Sequence, residues 1–275
     1  IEMKTIHPSE LSPMQVQMIL QTAVSPRPIA LASTIDKNGN VNLSPFSFFN
    51  LFSSNPPILI FSPARRVRDN STKDTLHNVL EVPEVVIGNV NFDMVQQVSL
   101  SSTEYETGVD EFIKSGLTKN PAELVKPPLI AESPVNFECK VIEVKPLGNE
   151  GGAGNLVICE VLKIHIREEF LNEEGNLDQK KLDIVSRLGG NWYGRTTPET
   201  LFEVLKPLVT KGIGFDQLPS EIRNSKIFTG NDLGMLANVE QLPEGNFSAD
   251  ENLHLEAQKL LLEGKIEEAW KVLTQ

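Results

Sequence analysis

The chain has 275 residues, 40% of them hydrophobic, which is enough to bury one large core with an appendage or two separate cores, and too apolar for a disordered chain. Its 25 Lys and Arg against 37 Asp and Glu leave a formal charge of -12, which repels polyphosphate and argues against nucleic acid and anionic membrane as general partners. Cys139 and Cys159 lack the spacing of a zinc site or a disulfide framework, and no apolar run nears the roughly 20 residues of a membrane span, so a soluble, cytoplasmic protein is expected.

Ser12-Pro-Met-Gln15 opens the first helix: Ser12 caps it, Pro13 occupies the first turn, Gln15 completes a capping box, and the helix runs to about Gln21. Residues 28–162 then read as strands. Residues 29–35 and 41–43 form a hairpin around Asp36-Lys-Asn-Gly-Asn40, and 58–61 and 85–87 are short strands bounded by Pro, Gly or Asn. Helices are expected only around 72–80 and 93–100, too few to alternate with every strand of a doubly wound fold. Val135, Phe137, Cys139 and Val141 alternate with Asn136, Glu138 and Lys140, which predicts one face in a core and the other in water. At Ile142 and Val144 the phase slips by one residue, as a β-bulge would produce. After a turn over 148–154, residues 156–166 pair back, with Leu162, Ile164 and Ile166 on one side. The fold class is thus mainly β with peripheral helices, an antiparallel barrel.

Beyond Arg195 the pattern becomes helical. Thr197-Pro198 predicts a helix through Leu201, Val204, Leu205 and Leu208. Ser248-Ala-Asp-Glu251 reads as a capping box opening a helix through Leu253, Ala257, Leu260 and Leu261, Gly264 ends it, and Ile266, Ala269, Trp270 and Leu273 stripe a last helix. This hairpin resembles one tetratricopeptide-type unit, which cannot bury both faces alone and needs the barrel, another subunit or a partner against it. The expected division is a barrel domain over 3–195 and a helical extension over 196–275.

No G-x-G-x-x-G follows a strand and no P-loop occurs, so a Rossmann site and a nucleotide cradle are not expected. Gly151-Gly-Ala-Gly154 reads as a hairpin turn. The histidines at 7, 77, 165 and 254 lack metal-ligand spacing, and neither a protein nucleophile nor a bound metal is expected. Three segments stand out. Residues 65–75 place four cations within nine residues, Arg65, Arg66, Arg68 and Lys73, ahead of a helix, which suits a phosphate dianion and equally suits a solvated loop capped at Ser71 or Thr72. Ser44-Pro-Phe-Ser-Phe-Phe-Asn50 offers an apolar wall beside polar groups, fit for a flat heteroaromatic ring or for a buried corner. Arg187-Leu-Gly-Gly-Asn-Trp-Tyr193 suggests close approach to a ligand, or a loop with an aromatic anchor.

These segments in their order, together with Pro26-Arg-Pro28, Pro56-Pro57 before Phe61-Ser62, Gly108-Val-Asp-Glu-Phe112 and Glu132-Ser-Pro-Val135, resemble the flavin reductase-like family over roughly residues 10–195. The resemblance implies an FMN-binding split barrel, a homodimer, and FMN near the subunit interface. By position it implies that Ser47, Phe48 and Asn50 border the flavin ring with Ser62 nearby. It implies that Arg66, Lys73, Asp74 and Thr75 hold the ribityl phosphate, Asp74 through a ribityl hydroxyl or as a helix-start acid. Arg187, Gly189 and Tyr193 would close the pocket, from the other subunit if not their own. The activity implied is an NAD(P)H-dependent flavin oxidoreductase with NADH or NADPH as donor. A flavoredoxin-like carrier served by a protein redox partner is the alternative, and a third reading makes the helical tail a docking module.

Overall fold

A computed structural model describes residues 1–208 and 211–274 as two compact units, Ile1–Leu201 and Phe202–Gln275. In the first unit the chain runs α1 (Pro13–Ala23), β1 (Ala30–Ile35), β2 (Val41–Phe46), β3 (Phe49–Ser54), β4 (Pro57–Phe61), α2 (Asp74–Glu81), β5 (Glu84–Gly88), α3 (Val95–Ser101), α4 (Glu111–Ser115), β6 (Lys119–Asn120) and β7 (Leu129–Ile130). It continues through β8 (Val135–Pro146), β9 (Asn155–Ile166), α5 (Gln179–Leu182), β10 (Val185–Arg187) and β11 (Tyr193–Arg195). Ser12 caps α1 and Gln15 closes the capping box, as the sequence predicts.

Seven strands form one antiparallel sheet in the order β2-β1-β5-β8-β9-β4-β3. Its two edge strands are consecutive in the chain, with only Ser47 and Phe48 between them. That link obliges the sheet to curl until its edges meet, and the Ser62 N–H donates to the Phe48 carbonyl at 2.8 Å beside the seam. The antiparallel barrel with peripheral helices is the observed architecture. Along β1 every residue is buried, with Ala30 and Ala32 facing one core and Leu31 the other. One core sets Leu31, Leu43 and Val86 against Val98 of α3 and Phe112 of α4. The other collects Phe46, Phe61, Val79, Ile87, Val157 and both cysteines, which are free. Burial pushes the Cys139 thiol up to about 12 and the Cys159 thiol well above the ordinary range, so both serve as packing groups.

The β8–β9 hairpin slips register twice. At the shift between Val141 and Glu143 the extra residue is Ile142, where the sequence predicts a bulge, and its side chain is exposed. At the shift between Glu138 and Cys139 the extra residue is Leu162 on β9. Leu162, Ile164 and Ile166 share a face as predicted, and that face is exposed.

The alternation along β8 misplaces one face. Asn136 and Glu138, expected in water, are buried, Glu138 completely. The chain between β6 and β8 folds over them: Asn136 accepts from the Ile130 N–H and donates to the Ile130 carbonyl, and Glu138 accepts from the N–H groups of Glu123, Leu124 and Val125. His165 hydrogen-bonds the Glu138 carboxylate at 2.6 Å. A polar side chain is tolerated there because each buried lone pair has a donor.

In the second unit the chain forms α6 (Ser220–Arg223), α7 (Gly230–Ala237), α8 (Glu251–Leu262) and α9 (Ile266–Leu273). Leu218, Ile222, Leu233 and Leu236 pack against Ala257, Leu261, Trp270 and Leu273, so the partner that the α8–α9 hairpin requires is supplied within its own unit by α6 and α7. Asp250, not Ser248, caps α8, its carboxylate accepting from the Asn252 N–H. The helix predicted through Leu201–Leu208 does not form: a 3-10 turn at Pro198–Thr200 is followed by irregular chain with Val204, Leu205 and Leu208 exposed. Pro207 lacks the N–H a helix would need, and so short an apolar stripe with nothing packed against it cannot offset nucleation.

Candidate functional site

The loop between β4 and α2 is held in one shape before any ligand is considered. Its Arg65 N–H donates to the Ala153 carbonyl and its Arg65 carbonyl accepts from Gly152, tying it to the β8–β9 turn. Arg66 and Ser71 pair through the backbone, and Asn70, at φ +59°, accepts from Arg65 Nε at 2.6 Å. The glycine cluster is the hairpin turn that the sequence predicts, and it also fits this loop: a Cβ on Gly151 would meet the carbonyl oxygens of Arg66 and Val67 at 3.0 Å. Ser62 Oγ accepts from the Asn155 N–H, anchoring the loop's other end.

Two clefts meet over this loop. One, of about 360 Å³, is polar and is lined by Asn42, Asp74, Thr75 and Glu111. The other, of about 730 Å³, has an apolar wall from Met14 and Leu20 of α1, with Phe46, Ser47, Phe48 and Ser62 opposite. Arg66, Arg68, Lys73 and Glu104 line both. Thus Ser47, Phe48, Ser62, Arg66, Lys73, Asp74 and Thr75, singled out from the sequence, line one or both of two clefts that share Arg66, Arg68, Lys73 and Glu104.

Within it the charges are specifically arranged. The Lys73 ammonium lies 5.1 Å from the centre of the Phe46 ring, and burial, then Arg66, lower its pKa, a tendency Glu104 opposes. Lys73 is also the N-cap position of α2 and gives that helix no side-chain cap; the Leu76 N–H turns back to the Lys73 carbonyl at 3.0 Å, and the N–H groups of Asp74 and Thr75 start the helix uncapped. Arg66 donates through Nη1 to Ser71 Oγ at 2.9 Å and to the Thr72 carbonyl at 3.0 Å, and through Nε to Glu104 Oε1 at 2.9 Å. Arg68 also pairs with Glu104, and hydrogen bonds from the two guanidinium groups hold the Glu104 carboxyl below its ordinary range. Thr75 is fully buried and accepts from Asn42 Nδ2 at 2.9 Å. Glu111 accepts from the Leu43 N–H, and burial raises its carboxyl, with Asp74 and Asp110 adding to the rise.

Asn42, Glu104 and Glu111 escape the motif reading. Glu111 lies inside Gly108-Val-Asp-Glu-Phe112, whereas no local pattern marks Glu104. Asn50 is exposed on β3, its Oδ1 accepting from the Leu51 N–H, and lies outside both linings. So do Arg187, Gly189 and Tyr193. Arg187 stacks 4.5 Å over Tyr193 and donates to the Gly190 carbonyl.

The Arg187 strand nonetheless reaches the site's wall through Arg27. The Arg27 backbone pairs with Arg187 in both directions, and its buried guanidinium donates to carbonyls of Gln21 and Val24 at the end of α1 and to that of Leu188. It also stands 6.0 Å from the Phe48 ring. Gly189 packs on α1 so closely that a Cβ would lie 3.2 Å from Thr22 Cα. Gly189→Ala should therefore cost about 1–3 kcal/mol through overpacking, read as a lower urea midpoint at unchanged slope. An unchanged midpoint with weakened ligand binding would show instead that the glycine serves the ligand directly.

The sequence model of the flavin reductase like domain matches residues 23–183. A protein of Halalkalibacterium halodurans is 38% identical over 192 residues, covering 69% of this chain and 91% of its own length, and one of Aquifex aeolicus is 36% identical over 181 residues, covering 66% and 90%. Among solved structures, nitrilotriacetate monooxygenase component B from Bacillus cereus superposes with a TM-score of 0.67 at 26% identity, covering 75% of this chain and 99% of that one. The 2-nitrobenzoate 2-nitroreductase of Pseudomonas fluorescens gives 0.67 and 26%, covering 77% and 100%. Flavoredoxin of Desulfovibrio vulgaris, at 21% identity and 0.55 over 68% and 92%, shares the fold.

Proposed function

The chain belongs to the flavin reductase-like family of split-barrel flavoproteins, and on that premise we propose that it binds FMN across the two joined clefts and works as an NAD(P)H-dependent flavin oxidoreductase. The observation that carries this is the junction itself: a pair of arginines, a half-buried lysine and an uncapped helix start border an apolar, aromatic-walled cleft. FMN has that polarity, a phosphate dianion at one end and a flat ring system at the other. A carboxylate already engages the two guanidinium groups, which supports reading them as an anion site.

In this reading Arg66, Lys73 and the first turn of α2 bind the phosphate, and Asp74 and Thr75 lie along the ribityl chain. Phe46, Phe48 and Ser47, with Ser62, face the ring, while Met14 and Leu20 exclude water from its far side. When bound, FMN would supply two-electron chemistry with a nicotinamide, so no protein nucleophile is needed. We assign Arg27 the task of holding α1, Phe48 and the Arg187 strand in mutual register. The exposed apolar side chains of Leu51, Phe52, Leu162, Ile164 and Ile166 favour a second copy of the chain as partner. In a dimer Arg187, Gly189 and Tyr193 would close the partner's flavin pocket.

The test is an absorption spectrum after mixing with FMN, followed by anaerobic titration with NADH and NADPH. A bound-flavin spectrum bleached by either donor is the expected outcome. A protein that cannot be reconstituted with FMN overturns the reading. Binding without bleaching by either donor assigns the chain to the flavoredoxin-like class, whose fold it shares.

A further inference from the structure

The acids around the polar cleft are mostly committed to structure. Asp110 accepts from the Phe112 N–H and pairs with Lys119, Glu111 accepts from the Leu43 N–H, and Asp74 accepts from Thr107. Glu104 differs. It lies in the irregular segment between α3 and α4, and its carboxylate is given to Arg66 and Arg68, the cations shared by both clefts. Arg66 Nη1 is fixed on Ser71 and Thr72, so a second anion must come to the edge formed by Nε and Nη2, where Glu104 already holds Nε.

We propose that Glu104 is an internal competitor for the flavin phosphate, one that keeps FMN exchangeable instead of permanently held. The inference rests on the FMN reading above and names how that site is regulated. A carboxylate carries one negative charge, while a phosphate monoester carries about 1.5 to 2 at neutral pH, so a phosphate that engages the Nε and Nη2 edge bidentately wins the guanidinium from Glu104 and releases that carboxylate. The exchange lowers the net affinity by the free energy of the displaced ion pairs. Because Arg68 is two-thirds exposed and Glu104 nearly half exposed, that free energy is small and the displacement remains reversible. Riboflavin presents nothing to the arginines, so its binding is indifferent to Glu104. The device therefore acts on phosphorylated flavin alone.

The experiment compares the full-length protein with Glu104→Gln, titrating FMN and riboflavin by quenching of flavin fluorescence and following thermal stabilisation by inorganic phosphate. Glu104→Gln should tighten FMN by about 3- to 10-fold, with slower dissociation, and enhance the phosphate effect, while riboflavin affinity stays within about twofold. Equal or weaker FMN binding by the variant overturns the inference and leaves the FMN reading standing, and so does an equal gain for riboflavin. If FMN binds neither protein yet phosphate stabilises the variant more, the FMN reading falls and the competition for phosphate stands. If FMN binds neither protein and phosphate stabilises both alike, both readings fall.

Discussion

Lys73→Met should weaken FMN binding by about 10- to 100-fold, and Arg66→Gln by a similar factor, since a hydrogen bond to a charged group contributes about 1.5–3 kcal/mol. Methionine keeps an unbranched apolar stem and removes the ammonium, which stands 5.1 Å from the Phe46 ring centre, so the loss reads chiefly the charge. Arg66 needs a companion measurement, because its guanidinium also braces Ser71 and Thr72. A thermal midpoint unchanged by Arg66→Gln would show the loop intact. The double variant should lose less than the product of the single losses, since the two cations face one anion. Riboflavin affinity is the decisive comparison. If it falls as far as FMN affinity, the cations are shaping the cleft and the phosphate lies elsewhere.

The second large effect concerns stability. Glu138→Leu should cost about 3–5 kcal/mol, because it strands three backbone N–H groups and the part-buried His165 ring around a side chain that is itself fully buried. Glu138→Gln, which keeps one accepting oxygen, should cost less. The carboxyl also carries a pH signature. Burial pushes its pKa up, yet the N–H groups of Glu123, Leu124 and Val125 together with His165 outweigh burial and hold it below the ordinary range. A carboxyl depressed in the folded state stabilises fully above its unfolded pKa, and that contribution is lost as pH falls through the folded pKa. Urea midpoints of the native protein should therefore decline below the usual glutamate range, and part of that decline should vanish in Glu138→Leu. An acid limb identical in both proteins would show that other groups carry it.

What the sequence discloses and what it hides divides along sequence separation. Ser12 and Gln15 are three residues apart, and β1 and β2 are joined by a tight turn, so local chemistry specifies both. The bulge at Ile142 is legible because an apolar alternation slips visibly. The burial of Glu138 is not, since alternation reports that a strand has two faces and says nothing of a loop that later covers one of them. At Leu201–Leu208 the error runs the other way: spacing suited to a helix is present, but no surface packs against it. The short α6 and α7 lack a long enough stripe to announce themselves, and they prove to be what completes the α8–α9 hairpin. In the site, Lys73 and Thr75 are legible from a helix start preceded by cations. Glu104 belongs to a segment with no period at all, and only the fold brings it onto Arg66.

The passage of Ser47 and Phe48 between the sheet's two edges bears on how such a chain can vary in length. A link of two residues has no slack, so an insertion there would let the edges part at the wall of the apolar cleft. The turns at 36–40 and 172–176 lie away from both cleft linings and can lengthen at an entropic cost that grows only slowly with added residues. Descendants of this barrel are thus free to acquire new loops at its rim, while the seam must be inherited at fixed length.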